Sequence, residues 1–253
     1  MPSSTSPRAG PGRPEGLRER RRRELLDDVL ATARRHVAEH GAAAMSVRAV
    51  ARDIGIAPSA LYRYYPSRDE LLTTLIAETY VEIHDVLDAA VTTALAAHQG
   101  DLLAAWVETT AAYRDWARAH SADFALVYGS PIPGYAAPEE GTRDVGRRSG
   151  EPLMRLLGAA LQSGVVDLDA ARAAASGMGP AMREALAARG HAQGLDVPED
   201  LAAGLVEFAL TAWAQLHGLV SVDVFGHLPP MAGFADEFFD RASAAIFVRG
   251  LRH

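Results

Sequence analysis

Apolar side chains recur at helical spacing along most of the chain, and no segment shows the alternation of apolar and polar residues typical of a half-buried strand. The first long pattern predicts a helix over residues 17–40, and Gly41 stands where a left-handed residue would end it. The apolar face of this helix consists of Leu26, Val29, Leu30, Ala33 and Val37. The patterns predict an all-α fold.

Two short helices with clear end signals come next. Ser46 is placed to cap a second helix with Val47, Val50, Ala51 and Ile54 on its apolar face. Gly55 ends that helix, Pro58 suits the first turn of a third, and Pro66 stops the third. The spacing of Ala51, Gly55 and Leu61 predicts a helix-turn-helix, with a small residue at the crossing, a glycine in the turn and an apolar anchor.

The rest of the chain also reads as helical. Ser67 and Glu70 form a capping box that opens a fourth helix over residues 67–90. Glycine- and proline-containing stretches separate the later helical patterns, which fall near residues 101–120, 121–129, 143–163, 169–190, 198–221 and 231–249. The sequence 176–186 (SGMGPAMREAL) is unusual, because its glycines and Pro180 would loosen or kink a helix.

Composition limits the classes of protein that remain. The chain has 253 residues, enough for a sizeable core, and no cysteine, which excludes disulfides and thiolate metal sites. No run approaches the roughly 18 apolar residues of a membrane span, and the polar N-terminus does not resemble a secretory signal. We therefore expect a cytoplasmic protein with no membrane partner.

The charge is distributed unevenly. Residues 1–70 contain 13 arginines against nine acidic residues, whereas residues 71–253 contain 12 arginines against 23 acidic residues. A basic N-terminal part on an acidic body indicates that only the N-terminal part meets an anionic partner.

The stretch 59–72 (SALYRYYPSRDELL) concentrates aromatic and basic side chains on one short helix. At about 100° per residue, Ala57, Leu61 and Tyr65 face the core, while Ser59 and Arg63 face away with Ala60 and Tyr62 beside them. A helix with short side chains can approach the bases in the DNA major groove, where arginine pairs with guanine, and tyrosine hydroxyls reach the phosphates. We predict DNA contacts from Ser46, Arg48, Ser59, Ala60, Tyr62, Arg63, Tyr64 and Arg68. Packing in the core is the alternative for Tyr62, and more so for Tyr64, which lies in the last turn before Pro66.

Residues 45–72 (MSVRAVARDIGIAPSALYRYYPSRDELL) resemble the DNA-binding region of TetR-family transcriptional regulators. The resemblance implies an all-helical, usually dimeric repressor with a small-molecule pocket in its C-terminal domain and no enzymatic activity. It assigns DNA contacts to Ser46, Ser59, Tyr62, Tyr64 and Arg68. Arg68 stands where lysine is more usual and Tyr64 where histidine is common, and both keep a donor for phosphate. We expect a disordered arm at 1–16, a DNA-binding domain at 17–66, and a ligand-binding and dimerisation domain at 67–253.

Residues 205–228 resemble a TetR C-terminal subtype with a Trp-x-x-x-His-Gly signature, here Trp213, His217 and Gly218. Apolar or amphipathic ligands suit a pocket of aromatic and methionine side chains. Candidates for its lining are Trp106, Tyr113, Trp116, Phe124, Tyr128, Met154, Met178, Met182, Trp213 and His217. Ordinary core packing is the alternative for each, and a structural hydrogen bond is the alternative for His217.

Two helices near the C-terminus have faces suited to dimerisation. The pattern in residues 201–220 is apolar around too much of its circumference to pack on one neighbour. The last helix has a matching face with Phe234, Phe238, Phe239, Ala242, Ala245 and Ile246. Two such helices from each subunit would form a four-helix interface, and the two recognition helices would then meet a palindromic DNA operator.

Other functions have weaker support. His36 and His40 satisfy the H-x-x-E-H spacing of some zinc peptidases, but Gly41 ends the helix at once and no third ligand is apparent. No nucleotide-binding or nucleophile motif is present, so we expect no catalytic residue, no metal and no cofactor. The arginine run at 18–24 is either a solvated helix start or an arm at the minor groove. A helical binding protein that no longer contacts DNA is the remaining alternative.

Overall fold

The computed structural model describes residues 16–138, 145–146, 148–228 and 233–249. These residues contain eleven α-helices and a 3-10 turn at Ala42–Ala44, and no strand occurs among them, which confirms the predicted all-α fold. The helices are α1 (Leu17–His40), α2 (Val47–Asp53), α3 (Pro58–Leu61), α4 (Arg68–His98), α5 (Leu102–Ala119), α6 (Ser121–Tyr128), α7 (Glu151–Gln162), α8 (Leu168–Ser176), α9 (Pro180–Ala192), α10 (Glu199–Val224) and α11 (Ala235–Val248). The predicted arm, except for Gly16, lies outside the described residues, as do parts of the helices predicted at 143–163 and 231–249.

Contacts divide the chain into two compact units, Met1–Leu71 and Leu72–His253. The division falls one turn into α4, whereas the sequence suggested a boundary before Ser67. In the N-terminal unit, α1 packs on α2, and α2 packs on α3. Its core contains the fully buried side chains of Val29, Ala33, Val50, Ala51 and Leu61.

Several local details of the N-terminal unit differ from the sequence prediction. Gly41 has φ 80° and ψ 156°, so the backbone leaves α1 through an extended, glycine-favouring conformation rather than the left-handed helical one. Ser46 occupies the N-cap position of α2 but makes no capping hydrogen bond. Ala57 is exposed, because it is the extended residue before α3 and the helical wheel does not apply to it.

The helix α3 is shorter than the predicted helix up to Pro66. It ends at Leu61, and residues 62–64 form a turn in which the backbone N–H groups of Tyr64 and Tyr65 both donate to the Leu61 carbonyl oxygen (2.9 and 3.0 Å). Pro66 disfavours helical geometry at Tyr65, so the helix cannot continue up to the proline. The side chain of Tyr65 is nevertheless buried beside Leu61, as expected.

The helix predicted at 169–190 is in fact two helices, α8 and α9. Gly177 caps α8, Gly179 precedes α9, and Pro180 occupies the first turn of α9, where its missing N–H costs nothing. The glycines and proline therefore break the helix instead of bending it.

The helix α10 is the central element of the C-terminal unit and packs on α5, α7, α8, α9 and α11. It approaches α8 closely at Gly204, where a side chain would overlap the backbone of Ala171. By length and a mean hydropathy of 1.3 it is the one helix in the described part of the chain that could cross a membrane. Its buried residues, among them Leu201, Leu205 and Leu216, pack against these neighbouring helices, and this burial accounts for part of its apolar composition.

Candidate nucleic-acid interface and small-molecule cavity

The outer surface of α3 and the following turn carries the residues expected to contact DNA. Ser59, Tyr62 and Arg63 are exposed, and Ala60 is half-buried. Leu61 and Tyr65 point into the core, so the exposed residues lie on the side away from it. Neither Arg63 nor the exposed Arg48 of α2 forms a hydrogen bond or ion pair with any described residue. Their charges are therefore available to an anionic partner.

Tyr64 is partly committed within the N-terminal unit. Its ring is half-buried, and the guanidinium carbon of Arg22 lies 5.8 Å from the ring centroid. This cation–π contact joins α1 to the turn after α3. Arg22, one member of the arginine run at 18–24, therefore packs against the N-terminal unit.

Arg68 has a structural contact that the sequence did not reveal. Its Nη2 donates to the carbonyl oxygen of Ala42 (3.0 Å), and its Nη1 lies 3.7 Å from Asp69 Oδ1. Its Nε is buried without a partner among the described residues. At the same helix start, the Glu70 backbone N–H donates to Ser67 Oγ (3.1 Å), as the capping box predicts. Arg68 thus fastens the start of α4 to the 3-10 turn.

The H-x-x-E-H pair has a different role from zinc binding. His36 Nε2 lies 2.7 Å from Asp53 Oδ2, in a hydrogen bond that joins α1 to the end of α2. This bond lowers the pKa of the Asp53 carboxyl. No group of three side chains suited to a metal ion occurs in the described ranges. The spacing is explained by helix packing, with His36 inward and His40 exposed.

A cavity of about 280 Å³ lies within the C-terminal unit. Tyr128, Met154 and Trp213 from the predicted set form part of its wall. The sequence did not indicate the others, because they are far apart in the chain and only packing brings them together. The full lining is Tyr80, Tyr128, Gly146, Ser149, Gly150, Leu153, Met154, Arg189, Gln193, Val206, Ala209, Leu210 and Trp213. The one available signal was the pair Arg189 and Gln193, which are four residues apart at the C-terminal end of α9.

The remaining candidates do not line this cavity. Trp106, Tyr113, Trp116 and Phe124 are buried in the main core, and Trp106 Nε1–H donates to the Ser243 carbonyl oxygen (2.9 Å). Met178 packs beside a small cluster of alanines, and Met182 is 50% exposed. These four aromatic residues therefore have the ordinary core packing that was the alternative to a role in the cavity wall.

His217 lies inside a cluster of aromatic rings. Its Nδ1 is 3.1 Å from the Tyr113 hydroxyl, and its ring centroid is 4.2 Å from that of Tyr128 and 5.6 Å from that of Trp213. Burial lowers the pKa of His217 and raises the pKa values of Tyr113 and Tyr128, so all three are neutral at pH 7. His217 is absent from the cavity lining and supports the wall residues Tyr128 and Trp213 from behind.

An ion-pair network, buried at Arg114 and Asp223 and exposed at Asp236, links α5 to the end of α10 and the start of α11. Arg114 of α5 donates from Nε to Asp223 (2.7 Å) and from Nη1 to Asp236 (2.8 Å), and its guanidinium lies 4.4 Å from the Phe239 ring centroid. Arg118 also donates to both carboxylates. The pKa of Asp223 is lowered: burial alone would raise it, but the two arginines outweigh this.

The two C-terminal helices leave apolar stripes exposed. The face predicted for the last helix is divided, because Phe239 and Ile246 are buried in the subunit while Phe234 and Phe238 are 64% and 39% exposed. A spacing of four places the exposed residues of α10 on one line along that helix. The exposed stripes are Leu210, Ala214, Gly218 and Val222 on α10, and Phe234, Phe238 and Ala245 on α11.

A three-helix N-terminal unit with an exposed helix-turn-helix surface, followed by a helical unit that holds a cavity, defines the class of DNA-binding transcriptional regulators. Residues 29–75 match the family model for bacterial regulatory proteins of the tetR family, and residues 106–246 match the tetracyclin repressor-like C-terminal domain. The chain belongs to the TetR family. Membership means DNA binding and transcription regulation rather than catalysis, and it implies dimerisation and a C-terminal ligand-binding domain.

Known proteins are similar over nearly the whole chain. The HTH-type transcriptional regulators Rv1816 of Mycobacterium tuberculosis and Mb1846 of Mycobacterium bovis are each 33% identical over 213 residues, covering 83% of this chain and 85% of theirs. The crystal structure of SCO4313 has 27% identity and a TM-score of 0.65, covering 91% of this chain and 98% of that one. The TetR family regulator PfmR from Thermus thermophilus shares the fold, with a TM-score of 0.50 at 19% identity over 89% of this chain and 99% of that one.

Proposed function

We propose that this regulator is a homodimeric repressor of the cytoplasm, which releases a palindromic operator when a small apolar or amphipathic molecule occupies the C-terminal cavity. We also assign it to the subtype with the Trp-x-x-x-His-Gly signature. The observation that carries the proposal is the continuity of α4, which begins at Arg68 beside the DNA-facing surface and contributes Tyr80 to the cavity wall.

The proposed DNA contacts divide into two kinds. Arg63 reads base edges, because it is exposed, unpaired within the described residues and flanked by the small Ser59 and Ala60. Phosphate contacts come from Ser46, Arg48, Tyr62, Tyr64 and Arg68, and they fix the position of the helix without selecting a sequence.

The exposed stripes of α10 and α11 support dimerisation. Ala214 and Gly218 in the middle of the α10 stripe allow a close helix approach, and no atom lies within 4 Å of a Cβ built on Gly218. A two-fold axis through these stripes would bring the same surface of both subunits together, so that each contact from residue i to residue j of the partner is repeated from j to i. The two α3 surfaces would then meet major grooves about 34–36 Å apart.

Leu210 connects the cavity to the dimer surface, since it lines the cavity and belongs to the exposed stripe of α10. A ligand that displaces Leu210 or Tyr80 therefore acts on the dimer surface and on α4 at once. DNA affinity is lost only to the extent that the ligand prefers the state that does not bind DNA.

The test begins with selection of bound duplexes from random DNA by the full-length protein. The proposal predicts an inverted repeat with half-sites about one helical turn apart, which compounds entering the cavity release. Reporter expression from that sequence in cells should rise with the same compounds. A selected site without two-fold symmetry, or equal operator affinity with and without saturating ligand, would contradict the proposal.

A further inference from the structure

We infer that the cavity selects a small amphipathic anion, namely a monocarboxylate with an apolar body of about ten non-hydrogen atoms, whose carboxylate binds Arg189. This inference names the ligand class of the proposed function, and it rests on that proposal only where it concerns the release of DNA. Binding of the anion itself is a property of the C-terminal unit.

The main support for an anionic ligand is the environment of Arg189. This residue is half-buried in α9 and lines the cavity, yet it forms no hydrogen bond or ion pair with the described residues. Arg114 and Arg68, which are also withdrawn from solvent, both donate hydrogen bonds to protein oxygens. A guanidinium withdrawn from water without a counter-charge is unfavourable, and an entering carboxylate would remove that cost.

Two further polar groups at the cavity are uncommitted. The Tyr80 hydroxyl makes no hydrogen bond within the described residues, and Gln193 Oε1 is buried without a partner. Gln193 lies one turn after Arg189, and the amide can present either a donor or an acceptor. By contrast, Ser149 Oγ already donates to the Gly146 carbonyl oxygen (2.7 Å). Among the described lining residues, the polar side chains without a hydrogen-bond partner in the protein are therefore Arg189, Tyr80 and Gln193.

The remaining wall sets the size and nature of the ligand. Leu153, Met154, Val206, Ala209 and Trp213 give the cavity an apolar surface, and Arg189 is the one cationic side chain in its described lining. A volume of about 280 Å³ equals that of about nine liquid waters at about 30 Å³ each, so the ligand has on the order of ten non-hydrogen atoms. One arginine matches the single charge of a carboxylate better than the double charge of a phosphate monoester.

Octanoate and octanamide are suitable probes, because they share one chain and the same number of non-hydrogen atoms, and only octanoate is charged. Their binding to the full-length protein is measured by titration calorimetry without DNA. Arg189→Gln removes the charge from the cavity, and Arg183→Gln removes the same charge from the same helix at a residue outside the cavity lining. Thermal melting of both variants verifies that they are folded.

We expect octanoate to bind the wild type and Arg183→Gln equally and Arg189→Gln about tenfold more weakly, because a charge-assisted hydrogen bond is lost. Octanamide should bind the wild type at least about tenfold more weakly than octanoate, with no further loss in Arg189→Gln. Octanoate affinity unchanged in Arg189→Gln, equal binding of octanamide, or no octanoate binding at millimolar concentration would overturn the inference.

Release of the selected operator distinguishes the two claims. If octanoate binds through Arg189 but leaves the operator bound at saturation, the anion site stands and the proposed ligand response fails for it. If neutral compounds release the operator while octanoate does not bind, the ligand response stands and the inference of an anion site is wrong.

Discussion

Replacement of Gly204 by alanine tests how tightly α10 packs on α8. An added Cβ would overlap the Ala171 carbonyl oxygen and lie 2.6 Å from its carbonyl carbon and 3.1 Å from its Cα. Carbon atoms in favourable contact are about 3.5–4.0 Å apart, so the two backbones must separate by about 1 Å. The obstacle is backbone, which cannot rotate away as a side chain can.

Two effects of this substitution oppose each other. Alanine is favoured over glycine inside a helix by about 1 kcal/mol, whereas overpacking of a close contact costs about 1–3 kcal/mol and more when backbone must move. We expect a net loss of about 1–2 kcal/mol. Gly158→Ala in α7 is the matched control, because no atom lies within 4 Å of its built Cβ. That variant should be more stable by up to about 1 kcal/mol.

Scanning calorimetry of the full-length protein measures both variants. A change of 1 kcal/mol shifts the melting temperature of a domain of this size by about 2–4 °C, so Gly204→Ala should melt about 2–8 °C lower and Gly158→Ala slightly higher. If Gly204→Ala melted at or above the wild-type temperature, the close α8–α10 packing would be refuted.

Three further predictions concern other parts of the chain. Arg68→Ala should lower the stability of the N-terminal unit, since it loses the Ala42 hydrogen bond, and weaken binding to all DNA sequences alike; urea unfolding and the salt dependence of affinity measure the two effects. Gly218→Arg should give a monomer with unchanged helical content by light scattering and circular dichroism, and a persisting dimer would disprove the α10 interface. Burial lowers the pKa of His217 below 6.5, so the unfolded state binds more protons at acidic pH and stability falls as pH drops through that value. His217→Gln should flatten this part of the pH profile of unfolding free energy, and an equally steep profile would count against a buried neutral imidazole.

The sequence predicted the helices with strong periodicity and clear end signals. The bounds of α1 were predicted at Leu17 and His40, as found, because a long apolar stripe and Gly41 mark them. The predicted length of α3 was too great, because a helix of four or five residues has no reliable helical periodicity and Pro66 distorts the turn before it. The sequence prediction also joined α8 to α9, since alanines on both sides of Gly177 continue the helical pattern.

The cavity was harder to predict than the surface proposed to face DNA. The residues of that surface lie within one short stretch and follow a recognisable motif, so their neighbourhood is local. The cavity takes Tyr80 from α4, Arg189 from α9 and Trp213 from α10, residues far apart in the chain that only packing brings together. Aromatic residues were expected to line it, but large rings also fill cores, and Trp106, Trp116 and Phe124 do so here.

The proposal that α3 and the turn after it read the base sequence is tested most directly at Arg63. The measurement is the affinity of Arg63→Ala for the selected operator and for a random duplex over a range of salt concentrations. Wild-type affinity should fall steeply with salt on both duplexes, because phosphate contacts release counterions. Arg63→Ala should lose about 1–3 kcal/mol on the operator and much less on random DNA. Equal losses on the two duplexes would contradict the account, because Arg63 would then contact phosphate and not bases.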